Sequence, residues 1–434
     1  MSKEVAVVSL GCDKNRIDTE HMLSYLSDGG YCITDDFDSA SVIIVNTCAF
    51  IESARSEAVD TVLEMAQKKK GRCEKLIVTG CLPQKYSEDL KRELPEVDAF
   101  LGVNDYDKIV SVIESGTLSD KVYIGGRDRV FDQNRIVTTP THYAYLCIAD
   151  GCDNFCTFCT IPSIRGKYRS RTMESIFAEA ERLAESGVKE LILVAQDVTR
   201  YGIDLYGRYA LTELIEKLSA LDILWIRLMY CYPELVTNDL LDEIANNDKV
   251  AKYIDIPLQH YDNAVLKLMN RRCTSDTIDN ILREAKKRNI SVRTTLMVGF
   301  PTETDAQFQN LCDFVRRAEL ENVGIFAYST EEDTPSAKLK PRITKATKLK
   351  RVNTLGKIHL DNVKKRNGMM IGKIVDVLYE DIDYERNMFI GRTERNAPDI
   401  DTLVYFTADF VDVGNVYKVK ITGYEDYDLI GEKL

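Results

Sequence analysis

Within eight residues the chain carries three cysteines, Cys152, Cys156 and Cys159, in the stretch Cys-Asp-Asn-Phe-Cys-Thr-Phe-Cys. An apolar run, Tyr143 to Ile148, precedes them and reads as a strand. The thiols therefore sit on a loop at a strand end, where they can converge on one face of a metal group. A closed zinc site wants a fourth protein ligand, and none stands nearby in sequence. A cubane 4Fe-4S cluster normally takes four cysteines, so a three-cysteine loop leaves one iron open to another ligand. Packing thiols, the ordinary role of free cysteine, would have no need to crowd into one loop.

The first 116 residues repeat a simpler unit: an apolar run, a turn, then a stretch with helical periodicity. The runs are Val5 to Leu10, Ser41 to Val45, Leu76 to Val78 and, more weakly, Ala99 to Leu101. Amphipathic stretches such as Arg16 to Leu26, Arg55 to Ala66 and Lys85 to Leu94 separate them. Continuous apolar strands alternating with helices predict a doubly wound parallel sheet. Cys12, Cys48 and Cys81 each fall just past one of these strands. In an open parallel sheet the carboxyl ends of the strands form the ligand crevice, so three thiols far apart in sequence are expected to meet there as a second three-cysteine set.

Length and composition bound the rest. At 434 residues the chain suggests two to four domains, and 44% apolar with 29% charged residues is ordinary for a globular protein. No run of 18 apolar residues occurs and the N-terminus has no basic-then-apolar leader, so a cytoplasmic protein, neither exported nor membrane-spanning, is expected. Twelve cysteines are too dilute for a disulfide scaffold. The six outside the two trios, Cys32, Cys73, Cys147, Cys231, Cys273 and Cys312, read as core or surface thiols, and the four histidines show no metal-type spacing. Charge is uneven: residues 1–120 hold 13 lysines and arginines against 22 carboxylates, and residues 368–434 hold 7 against 14.

Residues 117–140, with Gly125-Gly126 and a Thr-Thr-Pro-Thr run, read as a linker. Strand–helix alternation then resumes over 141–366, with strands expected at Tyr143 to Ile148, Glu190 to Ala195, Trp225 to Tyr230, Tyr253 to Pro257, Val292 to Val298 and Val323 to Tyr328. Six such units predict a partial TIM-type barrel whose site opens at the strand C-termini, near Gln196, Asp197, Gln259, His260 and the turn Gly299-Phe300-Pro301. The basic stretch 336–366 reads as a solvated helix leading to the last domain. Residues 367–434 break into short alternating runs between Asp, Asn and Gly turns, which predicts a small OB-like β-barrel.

Cys152, Cys156 and Cys159 match the CxxxCxxC loop of the radical SAM enzymes, with Phe158 in the aromatic position before the third cysteine. The tail resembles the TRAM domain. With Cys12, Cys48 and Cys81 in place, the whole chain resembles the radical SAM methylthiotransferases. The resemblance implies an N-terminal three-cysteine domain (1–116), a radical SAM core (141–366), a TRAM domain (367–434) and two 4Fe-4S clusters. It further implies that S-adenosylmethionine is cleaved at the Cys152, Cys156, Cys159 cluster and that Cys12, Cys48 and Cys81 hold the cluster where sulfur is methylated. Phe158 is then expected near the adenine, Gln196 near the methionine end of the cofactor, and an external donor supplies the electron.

The family has a tRNA-modifying branch, of MiaB type, and a ribosomal-protein branch, of RimO type. Ser9-Leu10-Gly11-Cys12-Asp13-Lys14-Asn15, Cys159-Thr160-Ile161-Pro162-Ser163-Ile164-Arg165-Gly166 and Ala195-Gln196-Asp197 resemble the latter. That branch implies methylthiolation of the β carbon of an aspartate in ribosomal protein S12; a modified adenosine beside the anticodon of tRNA is the alternative. The acidic tail favours the basic protein, since a tRNA-gripping domain should be basic. Two departures stand out: Thr302 where the family has a glycine, and Cys147 where a lysine is expected.

Overall fold

The computed structural model describes residues 3–115, 122–126 and 134–434. Parts of the expected linker, 117–121 and 127–133, lie outside the described residues, as do Met1 and Ser2. The chain divides into two compact units, one of residues 1–138, 149–171 and 329–334, the other of residues 139–148, 172–328 and 335–434.

The first unit is built on a six-stranded, wholly parallel sheet of β1 (Glu4–Ser9), β2 (Cys32–Thr34), β3 (Val42–Thr47), β4 (Lys75–Gly80), β5 (Ala99–Leu101) and β6 (Val122–Tyr123), in the order β2-β1-β3-β4-β5-β6. Helices cover both faces, which is why β3 and β4 are apolar without alternation. Met22, Leu23 and Leu26 of α1 (Asp13–Asp28) join Ile109 and Val112 of α4 (Ile109–Glu114) against Val42, Ile44 and Ile77. On the other face Ala58, Val62 and Met65 of α2 (Glu52–Gln67) and Leu82 and Leu90 of α3 (Cys81–Glu93) pack on Ile43, Val45, Leu76 and Val78. Each fully buried aliphatic side chain here contributes about 2 kcal/mol relative to exposure. β2 and β6 are edge strands of three and two residues, too short to show in the hydrophobic pattern.

Residues 149–171 belong to this same unit. Ala149–Asp150 pairs antiparallel with Arg169–Ser170, pinching the cysteine loop at its base. Between them a one-turn helix, Ile161–Arg165, starts with Pro162 in its first turn and stops at Gly166.

In the second unit six parallel strands run Tyr143–Cys147, Glu190–Val194, Trp225–Leu228, Val250–Asp255, Ser291–Val298 and Asn322–Ala327, each hydrogen-bonded to the next in chain order, so that the predicted six-stranded partial barrel is realised. Thr172, Thr237, Thr274 and Thr304 each accept a backbone N–H three residues on and so open the helices at Met173, Asn238, Ser275 and Asp305. Residues Lys345–Gly368 form the expected long helix.

The chain then closes a five-stranded barrel of Ile374–Asp383, Met388–Arg392, Val404–Thr407, Asp428–Lys433 and Val416–Glu425. Its last strand in sequence, Asp428–Lys433, has only two apolar side chains, side by side, between charged ends, so its pattern does not mark a strand. Buried ion pairs run from this C-terminal segment to the parallel strands, and others run between those strands or within the barrel. Arg392 reaches Glu190 and Glu380 at 2.7 Å each, Arg227 reaches Glu190 at 2.5 Å, and Arg293 reaches Asp255 at 3.1 Å and Asp401 at 3.2 Å. Burial of such charges is tolerated only because each is paired.

Candidate active site

β1, β3 and β4 are adjacent, and the chain leaves β1 and β3 in opposite directions across the sheet, the arrangement that opens a crevice at the strand C-termini. Cys12 stands at the N-cap of α1, Cys48 one residue past β3, and Cys81 is the first residue of α3. Two of the three thiols thus sit at helix N-termini, where exposed N–H groups and the helix dipole favour a negatively charged group. Gly80 makes the turn into α3 at φ 97; a Cβ there would lie 2.6 Å from the Thr47 carbonyl oxygen and 2.8 Å from its nitrogen.

Side chains stitch these three strand ends together. Asn15 donates from Nδ2 to the carbonyls of Leu10 and Thr47, both at 3.0 Å. Thr47 donates from Oγ1 to the Thr79 carbonyl at 2.6 Å, and Asn46 donates to the Asn15 carbonyl and to Thr19 Oγ1, each at 2.8 Å. Cys81 donates its S–H to Asn15 Oδ1 at 3.6 Å. The residues preceding Cys12, Cys48 and Cys81 are therefore held in register by two asparagines and a threonine.

The thiols feel one another. Burial pushes Cys81 up to about 12, against the opposing pull of Arg165, with Cys12 and Cys48 adding to the rise. Cys12 is likewise raised by burial and pulled down by Arg165. Cys12 nevertheless retains exposed surface. As free thiols, Cys12 and Cys81 stay protonated at neutral pH; binding iron would displace those protons.

In the loop, Cys152 is buried and its N–H donates to the Gly166 carbonyl at 3.1 Å, while Cys159 N–H donates to the Cys156 carbonyl at 3.0 Å. Cys159 Sγ also accepts from Ile161 N–H at 3.4 Å. Phe158 is 8% exposed. Gly151, at φ 78, enters the loop so tightly that a Cβ would press on the backbone of Gly166 and Lys167. In the second unit, Gln196 follows the strand Glu190–Val194 by two residues, and its side-chain oxygen is buried without a hydrogen-bond partner.

Among the described residues, no three His, Cys, Asp or Glu side chains converge tightly enough to hold a single metal ion. The donor sets offered are thiols alone. Soft thiolates select iron–sulfur clusters, and a cubane spreads its ligands over separate irons, so these wider sets fit a cluster better than a zinc ion.

Profiles of three families match successive parts of the chain: the uncharacterised family UPF0004 over residues 4–102, the radical SAM superfamily over 146–315 and the TRAM domain over 371–433. The protein is 48% identical to the ribosomal protein uS12 methylthiotransferase RimO of Acetivibrio thermocellus, covering all of this chain and 98% of that one. It is 47% identical to the protein of the same name from Clostridium tetani, over 98% of this chain and 97% of the other. The chain belongs to the RimO family. Among solved structures, a radical S-adenosylmethionine methyltransferase of Kitasatospora setae, TsrM, aligns with TM-score 0.59 at 14% identity over 78% of this chain and 77% of its own. The cobalamin-dependent radical enzyme OxsB aligns with TM-score 0.52 at 13% identity over 82% of this chain and 56% of its own. At those identities the likeness is one of fold.

The sequence marks every cysteine of the two sets, whereas Asn15 and Arg165 stand only inside stretches that resemble the RimO branch. Their signal was that a buried amide and a buried guanidinium each lie within a few residues of a cysteine. Their distant partners, Thr47 at 32 residues from Asn15 and Asn15 itself at 150 from Arg165, are visible only in the fold.

Proposed function

We propose that this protein replaces a C–H bond with C–SCH3 at the β carbon of an aspartate in ribosomal protein uS12, consuming two molecules of S-adenosylmethionine. The observation that carries this is the 48% identity to a RimO protein over all of this chain, supported by two separate three-thiol sets. When bound, the two 4Fe-4S clusters and S-adenosylmethionine supply the radical and the methylthio sulfur, which no acid or base side chain can provide for an unactivated C–H bond.

The chain's own contribution is to bind, orient and exclude water. Cys152, Cys156 and Cys159 hold the radical-generating cluster, leaving one iron for the cofactor. Cys12, Cys48 and Cys81 hold the second cluster on the sheet edge, with the N-termini of α1 and α3 favouring its negative charge. Phe158 would serve the adenine, and Gln196, whose side-chain oxygen is buried without a partner, would serve the methionine end of the cofactor. Residues 1–116 act as the sulfur-bearing domain, 117–140 as a linker, 141–366 as the radical core and 367–434 as the TRAM domain. The acidic TRAM segment favours a basic ribosomal protein over tRNA as the bound partner. An external reductant in the cytoplasm supplies the electron, and no described helix is long and apolar enough to cross a membrane.

The test is mass spectrometry of uS12 after incubation with anaerobically reconstituted enzyme, S-adenosylmethionine and reductant. Methylthio addition to one aspartate is expected. Incorporation into tRNA with none in uS12 would overturn the choice of substrate.

A further inference from the structure

Arg165 closes the one-turn helix that follows the Cys152–Cys159 loop, yet its side chain points at the strand-end cysteines. It is 1% exposed. Its Nη2 donates to Asp18 Oδ2 at 2.7 Å and to Asn15 Oδ1 at 2.9 Å, and lies 4.0 Å from Cys81 Sγ. Its Nη1 is 3.5 Å from Asp150, a carboxylate that it shares with Lys14 at 3.8 Å and Arg169 at 3.7 Å. Two carboxylates, Asp18 and Asp150, thus face three cations, Arg165, Lys14 and Arg169, which leaves positive charge in excess. Cys81 Sγ, an S–H in the free chain, would become a thiolate beside this charge on binding iron.

We propose that Arg165 is a positioning residue for the strand-end cysteine set: it docks the radical-loop segment on that set through Asn15 and Asp18 and places a fixed positive charge beside the cluster held there. This rests on the assignment of Cys12, Cys48 and Cys81 as cluster ligands. A buried cation beside a cluster stabilises the more negative, reduced state, because the low-dielectric surroundings screen it little. Arg165 therefore raises the reduction potential of that cluster, and Asp18, by offsetting the cation, limits the rise.

The test uses the full chain with Cys152, Cys156 and Cys159 replaced by alanine, so that one cluster signal remains, and reads the midpoint of an anaerobic redox titration followed by electron paramagnetic resonance. Iron is measured first: about four atoms per chain are expected, and a chain holding none would refute the cysteine assignment rather than the role of Arg165. Arg165→Gln is expected to move the midpoint to a more negative potential, Arg165→Lys to leave it near the parent value, and the nearly isosteric Asp18→Asn to move it to a more positive one. An unchanged midpoint in Arg165→Gln at full iron content would overturn the proposal. If Arg165→Gln fails to load iron, Asp18→Asn decides: a midpoint that stays put or moves negative rejects the electrostatic role.

Discussion

The two cysteine sets reach similar ends by opposite means. Cys152, Cys156 and Cys159 are gathered by eight consecutive residues, and the backbone bonds Cys152 N–H to Gly166 and Cys159 N–H to Cys156 hold them. Cys12, Cys48 and Cys81 are gathered by a sheet, and what holds them is the register of β1, β3 and β4 together with Asn15, Asn46 and Thr47. A local set needs only its loop to be intact, whereas a dispersed set needs the whole parallel sheet. The dispersed set should therefore be the more easily lost when the fold is strained.

The largest effect that tests this division comes from removing one ligand of each kind. Cys156→Ala is expected to abolish both release of 5'-deoxyadenosine and methylthio transfer, while Cys12→Ala keeps cofactor cleavage and loses transfer, each variant retaining about four irons of about eight. Equal loss of cofactor cleavage in the two would erase the distinction between the sets.

Smaller but more selective is a pair of glycine substitutions. Gly80→Ala forces a Cβ into Thr47 and Asn46 at the sheet edge, and Gly151→Ala forces one into Gly166 and Lys167 at the neck of the loop. Both add the cost of a left-handed alanine, and we expect each to destabilise its surroundings by about 3 kcal/mol. Iron analysis of the purified variants should show Gly80→Ala depleting the Cys12, Cys48, Cys81 set and Gly151→Ala depleting the other. Both variants losing iron from the same set would show that the sets do not depend on separate supports.

The same contrast explains what was legible in the sequence. The cysteines of the loop lie within eight consecutive residues and show in their spacing, and the strand-end positions of Cys12, Cys48 and Cys81 follow from the apolar runs before them. The partial barrel and the terminal β-barrel followed from periodicity in the same way. Asn15 and Arg165 could not be given a role, because what matters about them is a hydrogen-bond partner on another element. Residues 149–171 read as the start of the barrel because Tyr143–Cys147 is its first strand, yet their packing is with the N-terminal sheet. β2 and β6 are edge strands of three and two residues, and Asp428–Lys433, though paired on both sides in its barrel, has only two adjacent apolar side chains, so none of them carries a readable pattern.

A pH effect arising outside both sets must be separated before their stabilities are compared. His359 is 4% exposed, and burial together with Arg366 pushes its ring down to about 4. It is neutral in the folded chain, whereas an unfolded histidine takes a proton near pH 6.5. Folding stability is thus full above about pH 6.5 and falls as the pH drops toward 4, by about 3 kcal/mol from this group. Glu321, Asp401 and Asp428 line the same hollow, and the raised Asp401 and Asp428 carboxyls act in the opposite sense. The difference between parent and His359→Gln isolates the imidazole: the variant is expected to lose less stability between pH 7 and 4.5 in urea titrations. A parallel pH response would mean that the ring is charged in the folded chain.

The smallest expected effect is a gain, at the turn after the strand Ser291–Val298. Thr302 stands at φ 73, a region that a β-branched residue occupies at a cost of roughly 1–2 kcal/mol. The turn holds it there regardless: Glu303 accepts the backbone N–H groups of Gly299 and Phe300 and is fixed by Arg351 at 3.2 Å, while Thr302 N–H donates to the Pro341 carbonyl at 3.0 Å. Thr302→Gly keeps every one of those bonds and removes the strain, with part of the gain returned as backbone entropy in the unfolded chain. We expect a net stabilisation of about 1 kcal/mol, read as a rise of roughly 2 °C in the unfolding midpoint, with iron unchanged in both sets. A fall in the midpoint would mean that the threonine side chain packs well enough to outweigh its own backbone strain. A change in iron would mean that this turn supports one of the cysteine sets after all.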